Sequence, residues 1–254
     1  VDAQGAKWIG TGAGGAARFR EGSFKTYFPM HGLADYRVSS TSPDANGGLW
    51  MATLGGASRL DRRTGKFTNY AKELVNEWVY GIAVDAKGNV WIADFAGNKA
   101  GTKGHQVHKF SPKGEKLLSL GVAGKASNAD GEFNQPNDVV IGPDGSIYVA
   151  DGHEAQGMIT ANAVAEGIKR GATSRISKFS PDGKFIKSWG GKGKEPGKFD
   201  VAHGLAFDAK GQLWVTDREN QRIQVFDTDG KFIKELKYAG LPCSLDIGRQ
   251  NIYM

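Results

Sequence analysis

A phrase joining an acidic-glycine turn to an aromatic strand recurs along this chain of 254 residues. Its copies lie at 2–10, 44–52, 85–93, 143–150 and 208–216, and the aromatic anchor recurs at positions 8, 50, 91, 148, 214 and 253. Where no insertion intervenes, the spacing is close to forty residues, which is the period of a four-stranded propeller blade. This repeat constrains the architecture before any residue is assigned a chemistry.

The internal pattern of each repeat predicts four short strands. In the copy at 202–236, candidate strands at 203–207, 212–216, 222–226 and 231–236 are separated by turns that include 208–211 and 227–230. Glycine supplies the positive φ of such turns, and the 37 glycines suit a chain with many hairpins. The same pattern fits 80–119 and 137–188. The sequence therefore predicts an all-β fold, a β-propeller of four-stranded blades, over a solenoid of the same period.

Six blades are predicted within a single domain spanning 1–254. Their approximate bounds are 1–28, 36–72, 79–120, 136–190, 202–238 and 241–254, and a seventh blade is left open. The chain opens on a second strand at Trp8 and stops inside another at Tyr253, so the first and last blades are expected to be incomplete. Because an open blade leaves sheet edges unpaired, we expect the chain to belong to a longer polypeptide or assembly.

Composition narrows the classes of partner. Hydrophobic residues make up 39% of the chain, enough for a large core. The formal net charge of +6 is spread over solvated lysines that do not interleave with aromatic residues, so no nucleic-acid partner is expected. No apolar run is long enough for a transmembrane segment. A chain that begins at Val1 leaves any removed signal open, and the single cysteine, Cys243, excludes an internal disulfide framework.

Four segments carry a specific resemblance: GEFNQPNDV at 131–139, RISKFSPDGKFIKSWG at 175–190, GKFDVAHGL at 197–205 and DRENQRIQVF at 217–226. They resemble NHL repeats, and most closely the propeller domain of the peptidyl-α-hydroxyglycine α-amidating lyases. Segments 48–61 and 64–70 look more like sensor-type or streptogramin-lyase-type propeller repeats. The resemblance implies NHL-type blades.

The resemblance also implies a metal site. In the amidating lyases three histidines, each beginning an innermost strand, hold a zinc ion on the propeller axis. His203 matches one of them, while the equivalent positions carry Tyr80 and Cys243. A cysteine thiolate can bind zinc, but a neutral tyrosine is a poor ligand. His203 and Cys243 are therefore the candidate metal ligands, with zinc or calcium in the axial channel as one hypothesis and no cofactor as the other.

The catalytic residues of the lyases are only partly matched. Arg218 corresponds to one catalytic arginine, but His153 stands where the resemblance implies a tyrosine, and the second arginine would fall near Leu54. Arg218 and His153 are thus the catalytic candidates. The departures from the lyase pattern favour binding over catalysis.

Further candidates come from comparing the repeats with one another. Asn137 aligns with His203, and its surroundings resemble gluconolactonase-like propellers, although a strand-capping role is equally favoured. Asp94, Asp151 and Asp217 end three successive second strands, where a structural role is favoured over ligand contact. The predicted ligand-binding residues are Asn137, Asp151, Asp217 and Tyr80. His105 and His108 are not predicted to form a metal pair, because residues three apart on a strand point to opposite faces.

Two insertions, 95–106 and 153–174, follow second strands, and the latter contains a possible short helix at 161–170. Such loops share a face with the starts of the innermost strands. The leading hypothesis is a periplasmic or secreted NHL-type propeller that binds a protein partner or small ligand on the face carrying His203 and Arg218. The alternative is a metal-dependent lyase or hydrolase related to the amidating lyases, with Arg218 stabilising negative charge and His153 as base.

Overall fold

The chain is described by a computed structural model that covers residues 2, 5–70, 78–153, 173–238, 240–247 and 252–253. The sheets appear in chain order, and a 3-10 helix, Pro29–His31, follows the first of them. The first sheet contains β1 (Lys7–Gly10), β2 (Ala16–Arg20) and β3 (Ser23–Tyr27), and the second β4 (Val38–Pro43), β5 (Gly48–Thr53), β6 (Gly56–Asp61) and β7 (Phe67–Tyr70). The third contains β8 (Val79–Val84), β9 (Val90–Asp94), β10 (Gln106–Phe110) and β11 (Lys116–Gly121), and the fourth β12 (Pro136–Ile141), β13 (Ile147–Asp151), β14 (Arg175–Phe179) and β15 (Phe185–Gly190). The fifth contains β16 (Ala202–Phe207), β17 (Leu213–Asp217), β18 (Arg222–Phe226) and β19 (Phe232–Lys237), and a last ribbon pairs β20 (Asp246–Ile247) with β21 (Ile252–Tyr253).

The prediction of an all-β propeller with four-stranded antiparallel blades is confirmed. The predicted number of six blades is corrected to five among the described residues. Four of these blades have four strands, the first has three, and the sixth repeat contributes only the ribbon β20–β21. That ribbon has two strands, whereas a complete blade has four. No helix in the described ranges is long and apolar enough to cross a membrane.

The repeated aspartate makes the hairpin turn and ties it to the aromatic anchor. Asp208 Oδ1 accepts a hydrogen bond from the backbone N of Gln212 at 2.9 Å, and Oδ2 accepts one from the indole Nε1 of Trp214 at 2.9 Å. Asp85 repeats the second bond with Trp91 at 3.3 Å. Side-chain bonds to the local backbone stabilise turns, so the phrase that revealed the repeat also builds the hairpin.

The core lies mainly between neighbouring blades. One cluster joins the third and fourth blades and contains Trp91, Val107, Phe133, Val139, Val149 and Phe179. A second joins the fourth and fifth and contains Tyr148, Ile176, Phe199, Leu205, Val215 and Phe226. Because each cluster contains residues of two blades, burial of apolar surface holds neighbouring blades together around the propeller axis.

A register shift near the start of four innermost strands shapes the axial mouth. The shifts lie between Val79 and Ile82 in β8, between Pro136 and Asp138 in β12, and between Ala202 and Leu205 in β16. β4 has the same irregularity. Bulges of this kind redirect side chains and are frequent beside functional sites. They place the second residue of each strand at the mouth.

Candidate functional site

The mouth of the axial channel gathers residues from several blades. His203, the second residue of β16, contacts the loop before β20, where its Nδ1 lies 2.5 Å from the carbonyl oxygen of Cys243. A carbonyl can only accept a hydrogen bond, so Nδ1 carries the hydrogen and donates it. In the neutral ring, Nε2 is then an acceptor. The contact fixes the tautomer of His203 as well as its position.

An aromatic cluster surrounds His203. The ring of His153 lies 5.3 Å from that of His203 and 5.4 Å from that of Tyr80, between centroids. Phe95 stacks on Tyr80 at 4.4 Å and meets His153 edge-on at 5.1 Å. Trp78, 44% exposed, lies parallel to Phe95 at 6.4 Å. Three blades thus contribute rings to one partly buried surface.

This environment keeps both imidazoles neutral. Burial lowers the pKa of His203 to about 3, with help from His153 and Arg218. Burial likewise lowers the pKa of His153 to about 4, again with help from the positive charge of Arg218. Burial raises the pKa of Tyr80, although Arg218 opposes this effect. At neutral pH the mouth therefore offers two neutral imidazoles able to accept hydrogen bonds and a phenol able to donate one.

Arg218 supplies the positive charge of the mouth. It follows β17 directly, and its Nε donates to Cys243 Sγ at 3.3 Å while Nη1 contacts Glu219. Burial lowers its pKa, but the thiol and the Glu219 carboxylate outweigh that effect and raise it. Its side chain is 16% exposed, and Nη2 makes no hydrogen bond with any described residue. A charged donor group is therefore held in place and remains available.

Asn137 completes the predicted mouth ring. It is 2% exposed, and its Nδ2 donates to the Ala202 carbonyl at 2.7 Å. Within the described part of the chain its Oδ1 finds no hydrogen-bond partner. A buried acceptor left unpaired costs about 1–3 kcal/mol, so a donor that reached it would be favoured.

The two predicted metal ligands lie together without forming a metal centre. Cys243 meets His203 through its backbone carbonyl, while its thiol faces the positive charge of Arg218. In the ranges that the structure covers, no group of three histidine, cysteine, aspartate or glutamate side chains is placed to hold a metal ion. A neighbouring guanidinium also opposes binding of a cation. Among the residues that the structure describes, the side chains therefore do not fit the zinc site that the resemblance implied.

The two predicted ligand-binding carboxylates, Asp151 and Asp217, make hydrogen bonds within the scaffold. Asp151 Oδ1 accepts from the backbone N of Asn134 at 2.7 Å, and Oδ2 accepts from Arg175 Nε at 3.2 Å. Asp217 makes the equivalent pair of bonds with the backbone N of Asp200 and with Arg222 Nε, both at 2.7 Å. Both are fully buried. Ligand contact stays a prediction for these residues, and the bonds favour the structural alternative.

Sequence reasoning missed Phe95 and Trp78. Phe95 occupies the repeat position of Arg218, directly after the aspartate that ends the second strand, and it is another non-repeated residue at a repeated place. That signal could have found it. Trp78 precedes β8 and has no counterpart in the repeat phrase. The helix predicted at 161–170 lies outside the described residues.

Residues 21–245 match the family described as the SMP-30/Gluconolactonase/LRE-like region. The chain is 38% identical over 169 residues to peptidyl-glycine alpha-amidating monooxygenase of Mus musculus, which covers 63% of this chain and 15% of that protein. It is 30% identical over 176 residues to a probable peptidyl-alpha-hydroxyglycine alpha-amidating lyase of Caenorhabditis elegans, covering 67% and 43% respectively. The chain thus spans less than half the length of either relative.

A solved structure of streptogramin B lyase superimposes with a TM-score of 0.66 at 15% identity, covering 98% of this chain and 72% of that chain. At this identity the likeness concerns the fold alone. The resemblance predicted from the repeat motifs, to amidating-lyase propellers and to streptogramin-lyase-type repeats, is confirmed.

We expect the neutral histidines to make stability depend on pH. The ordinary pKa of histidine is about 6.5, so below that pH the unfolded chain binds protons that the folded mouth excludes. Stability present above pH 6.5 is therefore lost as the pH falls toward 4. With His153→Phe, the loss of unfolding free energy between pH 7 and pH 5 should shrink by about 1 kcal/mol, less than the full linkage value because the ring is partly exposed.

Urea denaturation at several pH values measures the slope of unfolding free energy against pH. Burial raises the pKa of Asp138 to about 7, which gives stability that is lost as the pH rises, but this opposite effect is common to both proteins. Phe95→Leu is the matched control, since it disturbs the same ring cluster and leaves both histidines, and its slope should equal that of the wild type. Equal slopes for wild type and His153→Phe would contradict the prediction.

Proposed function

This chain belongs to the SMP-30/Gluconolactonase/LRE-like family, and on that premise we propose that it binds a small ligand bearing a carboxylate or similar oxyanion at its axial mouth. In this proposal the ligand binds on the face that carries His203 and Arg218. We also propose that the protein is periplasmic or secreted, and fractionation of the producing cells would test this location.

The observation that carries the proposal is the held but available guanidinium of Arg218. Its Nε and Nη1 are engaged by Cys243 and Glu219, which fixes the group while leaving Nη2 to donate. Charge-assisted bonds from arginine to a carboxylate are among the strongest in proteins. A partly buried, mostly aromatic surround strengthens such a bond by excluding water.

The neutral groups of the mouth suggest a second feature of the ligand. Nε2 of His203 accepts a hydrogen bond, because Nδ1 already donates to Cys243. A hydroxyl or N–H close to the carboxylate of the ligand would supply the donor that Nε2 lacks. An α-hydroxy acid, free or at the end of a peptide, has this combination of groups.

A lyase reaction is the second candidate, supported by the amidating-lyase relative and by the neutral state of His153. With a peptidyl-α-hydroxyglycine, His153 would take the hydroxyl proton while the carbon–nitrogen bond breaks. The departing amide nitrogen gains a proton, and the products are a peptide amide and glyoxylate. Arg218 would hold the carboxylate throughout. A metal-dependent form would need ligands beyond His203 and Cys243.

α-Hydroxyhippuric acid tests both candidates, because it combines a carboxylate, an α-hydroxyl and an amide N–H. We expect saturable binding by calorimetry and a loss of about ten- to a hundredfold in affinity for Arg218→Gln, the range set by a charged hydrogen bond of 1.5–3 kcal/mol. Arg20→Gln, at an exposed position in the first blade, is the matched control and should bind like the wild type.

The same mixtures are assayed for glyoxylate. Binding without glyoxylate supports the binding function, and glyoxylate release that His153→Phe abolishes supports the lyase. Binding that Arg218→Gln leaves unchanged would contradict both, as would the absence of binding at millimolar concentration.

A further inference from the structure

One further backbone hydrogen bond extends the innermost pair of strands in each of four blades, at the end nearest the mouth. The residue after the second strand donates its N–H to the carbonyl of the residue before the innermost strand, at 3.0 Å in the fifth blade and 3.3 Å in the others. Facing residues of an antiparallel pair lie on the same face of the sheet, so each pair brings two neighbouring positions to the mouth. The pairs are Arg37 with Leu54, Trp78 with Phe95, Gln135 with Gly152, and Val201 with Arg218.

The pair in the third blade is aromatic and reaches the surface. The rings of Trp78 and Phe95 are inclined by 20°, with their centroids 6.4 Å apart. Phe95 is only 6% exposed, whereas Trp78 is 44% exposed. By contrast, Trp50, Trp91 and Trp214 are at most 6% exposed, as is usual for so large an apolar side chain. Covering Trp78 with another aromatic group would therefore remove apolar surface from water and add a contact between rings.

Trp78 is continuous with the proposed ligand site. Phe95 stacks on Tyr80 at 4.4 Å, and the ring of Tyr80 lies 6.2 Å from that of His203. Burial raises the pKa of Tyr80 and the positive charge of Arg218 opposes this rise, so the guanidinium acts on the same ring. Three rings, Tyr80, Phe95 and Trp78, thus form an aromatic wall that runs from the charged part of the mouth to the surface.

The aromatic wall favours a particular kind of group beside the carboxylate of the ligand. Aromatic rings attract one another in offset or edge-on arrangements with centroids roughly 4.5–7 Å apart, whereas an aliphatic group gains only the burial of its area. An extended chain advances about 3.4 Å per residue, so an aromatic group within about four residues of a carboxylate held by Arg218 reaches the wall.

We propose that Trp78 and Phe95 form an aromatic subsite of the axial mouth, and that the ligand carries a planar aromatic group close to the carboxylate that Arg218 binds. This inference rests on the proposed function and adds the class of ligand to it. The aromatic group belongs to an acyl group or to an aromatic residue of a peptide, and both offer the same ring contact. Trp78 has the role of a specificity-determining residue.

Three compounds with the same α-hydroxyglycine end test the subsite: N-acetyl-α-hydroxyglycine, α-hydroxyhippuric acid and N-(acetylphenylalanyl)-α-hydroxyglycine. The first has no aromatic group, the second has a benzoyl group and the third has a phenylalanine residue. By calorimetry we expect an aromatic compound to bind roughly three- to tenfold more tightly than the acetyl compound, the range of one aromatic contact. A gain with the benzoyl compound indicates an aromatic acyl group, and a gain with the phenylalanyl compound alone indicates a peptide.

Trp78→Ala should remove this gain and leave the affinity for N-acetyl-α-hydroxyglycine unchanged. Trp78→Phe keeps an aromatic ring at the same position and should retain most of the gain. Phe24→Ala is the matched control, because Phe24 is an aromatic residue 66% exposed on β3 of the first blade, and this variant should bind all three compounds like the wild type.

Equal affinities of the wild type for the three compounds, or a gain that Trp78→Ala leaves unchanged, would overturn the aromatic subsite and leave the carboxylate site standing. A loss by the same factor for all three compounds in Trp78→Ala also overturns it, since Trp78 would then act on the mouth as a whole. If none of the compounds binds at millimolar concentration, both proposals fail.

Discussion

Replacing Arg222 by alanine is expected to lower the free energy of unfolding by about 3–5 kcal/mol, the usual result of removing one partner from a buried ion pair. Arg222 Nε donates to Asp217 Oδ2 at 2.7 Å, and Nη1 donates to Glu235 Oε2 at 2.8 Å. Nη2 donates to the backbone carbonyls of Glu195 and Lys198, both at 3.0 Å. Asp217 is fully buried, and burial raises its pKa, so its carboxylate would lose its compensating charge.

Urea denaturation at pH 7 measures this loss. Arg20→Ala is the matched control, because Arg20 also pairs with a carboxylate, that of Glu21 at 2.9 Å, but on the surface, where the side chains are 44% and 78% exposed. That pair should be worth no more than about 1 kcal/mol. If the two variants lost similar amounts of stability, the network around Asp217 would not have the structural role argued above. The double variant Arg222→Ala with Asp217→Ala should recover part of the loss, since no charge is then left buried.

Replacing Gly81 by alanine is expected to cost about 2–3 kcal/mol, in the range found for overpacked cores. The added Cβ would lie 2.6 Å from the Cα of Asp138 and 2.9 Å from the backbone N of Val139. Both atoms belong to the backbone of β12, so no side-chain rotation relieves the contact and the two innermost strands must move apart. Because Tyr80 precedes Gly81 at the mouth, we also expect weaker ligand binding.

Gly12→Ala is the matched control for this substitution. A Cβ on Gly12 has no atom within 4 Å, and the residue does not have a positive φ. Its effect should be within about 0.5 kcal/mol of zero. Thermal and urea unfolding of both variants decides the matter, and a Gly81→Ala protein as stable as Gly12→Ala would show that the innermost strands are not in close contact.

Much of the fold follows from the sequence because its determinants are local. The strand expected at 203–207 is observed as Ala202–Phe207, and that at 222–226 as Arg222–Phe226. Alternating side chains and aspartate-glycine turns act over a few residues, so a single repeat contains the information. The number of blades does not follow in this way, because it depends on how the sixth repeat pairs, and its described residues form β20 and β21 alone.

The candidate site follows from the sequence only in outline. Equivalence of the repeats places Tyr80 and His203 on one face, and the structure brings their rings within 6.2 Å across more than a hundred residues of chain. Other features of the site depend on the directions of individual side chains. The thiol of Cys243 bonds to Arg218, whereas His203 meets only the backbone carbonyl of Cys243. No periodicity encodes them, which is why the sequence left a metal site as one hypothesis and did not predict the arginine–thiol contact.

The bulges of the innermost strands have a consequence for how this protein can change. Each bulge directs one side chain of its own blade toward the mouth. The strand that carries the bulge packs against the neighbouring blades. Tyr80, Asn137 and His203 thus occupy equivalent positions in three blades, on a scaffold whose turns and core lie elsewhere. Because the rings of Tyr80 and His203 lie 6.2 Å apart, a library that varies these positions together would sample new binding chemistries without redesign of the fold.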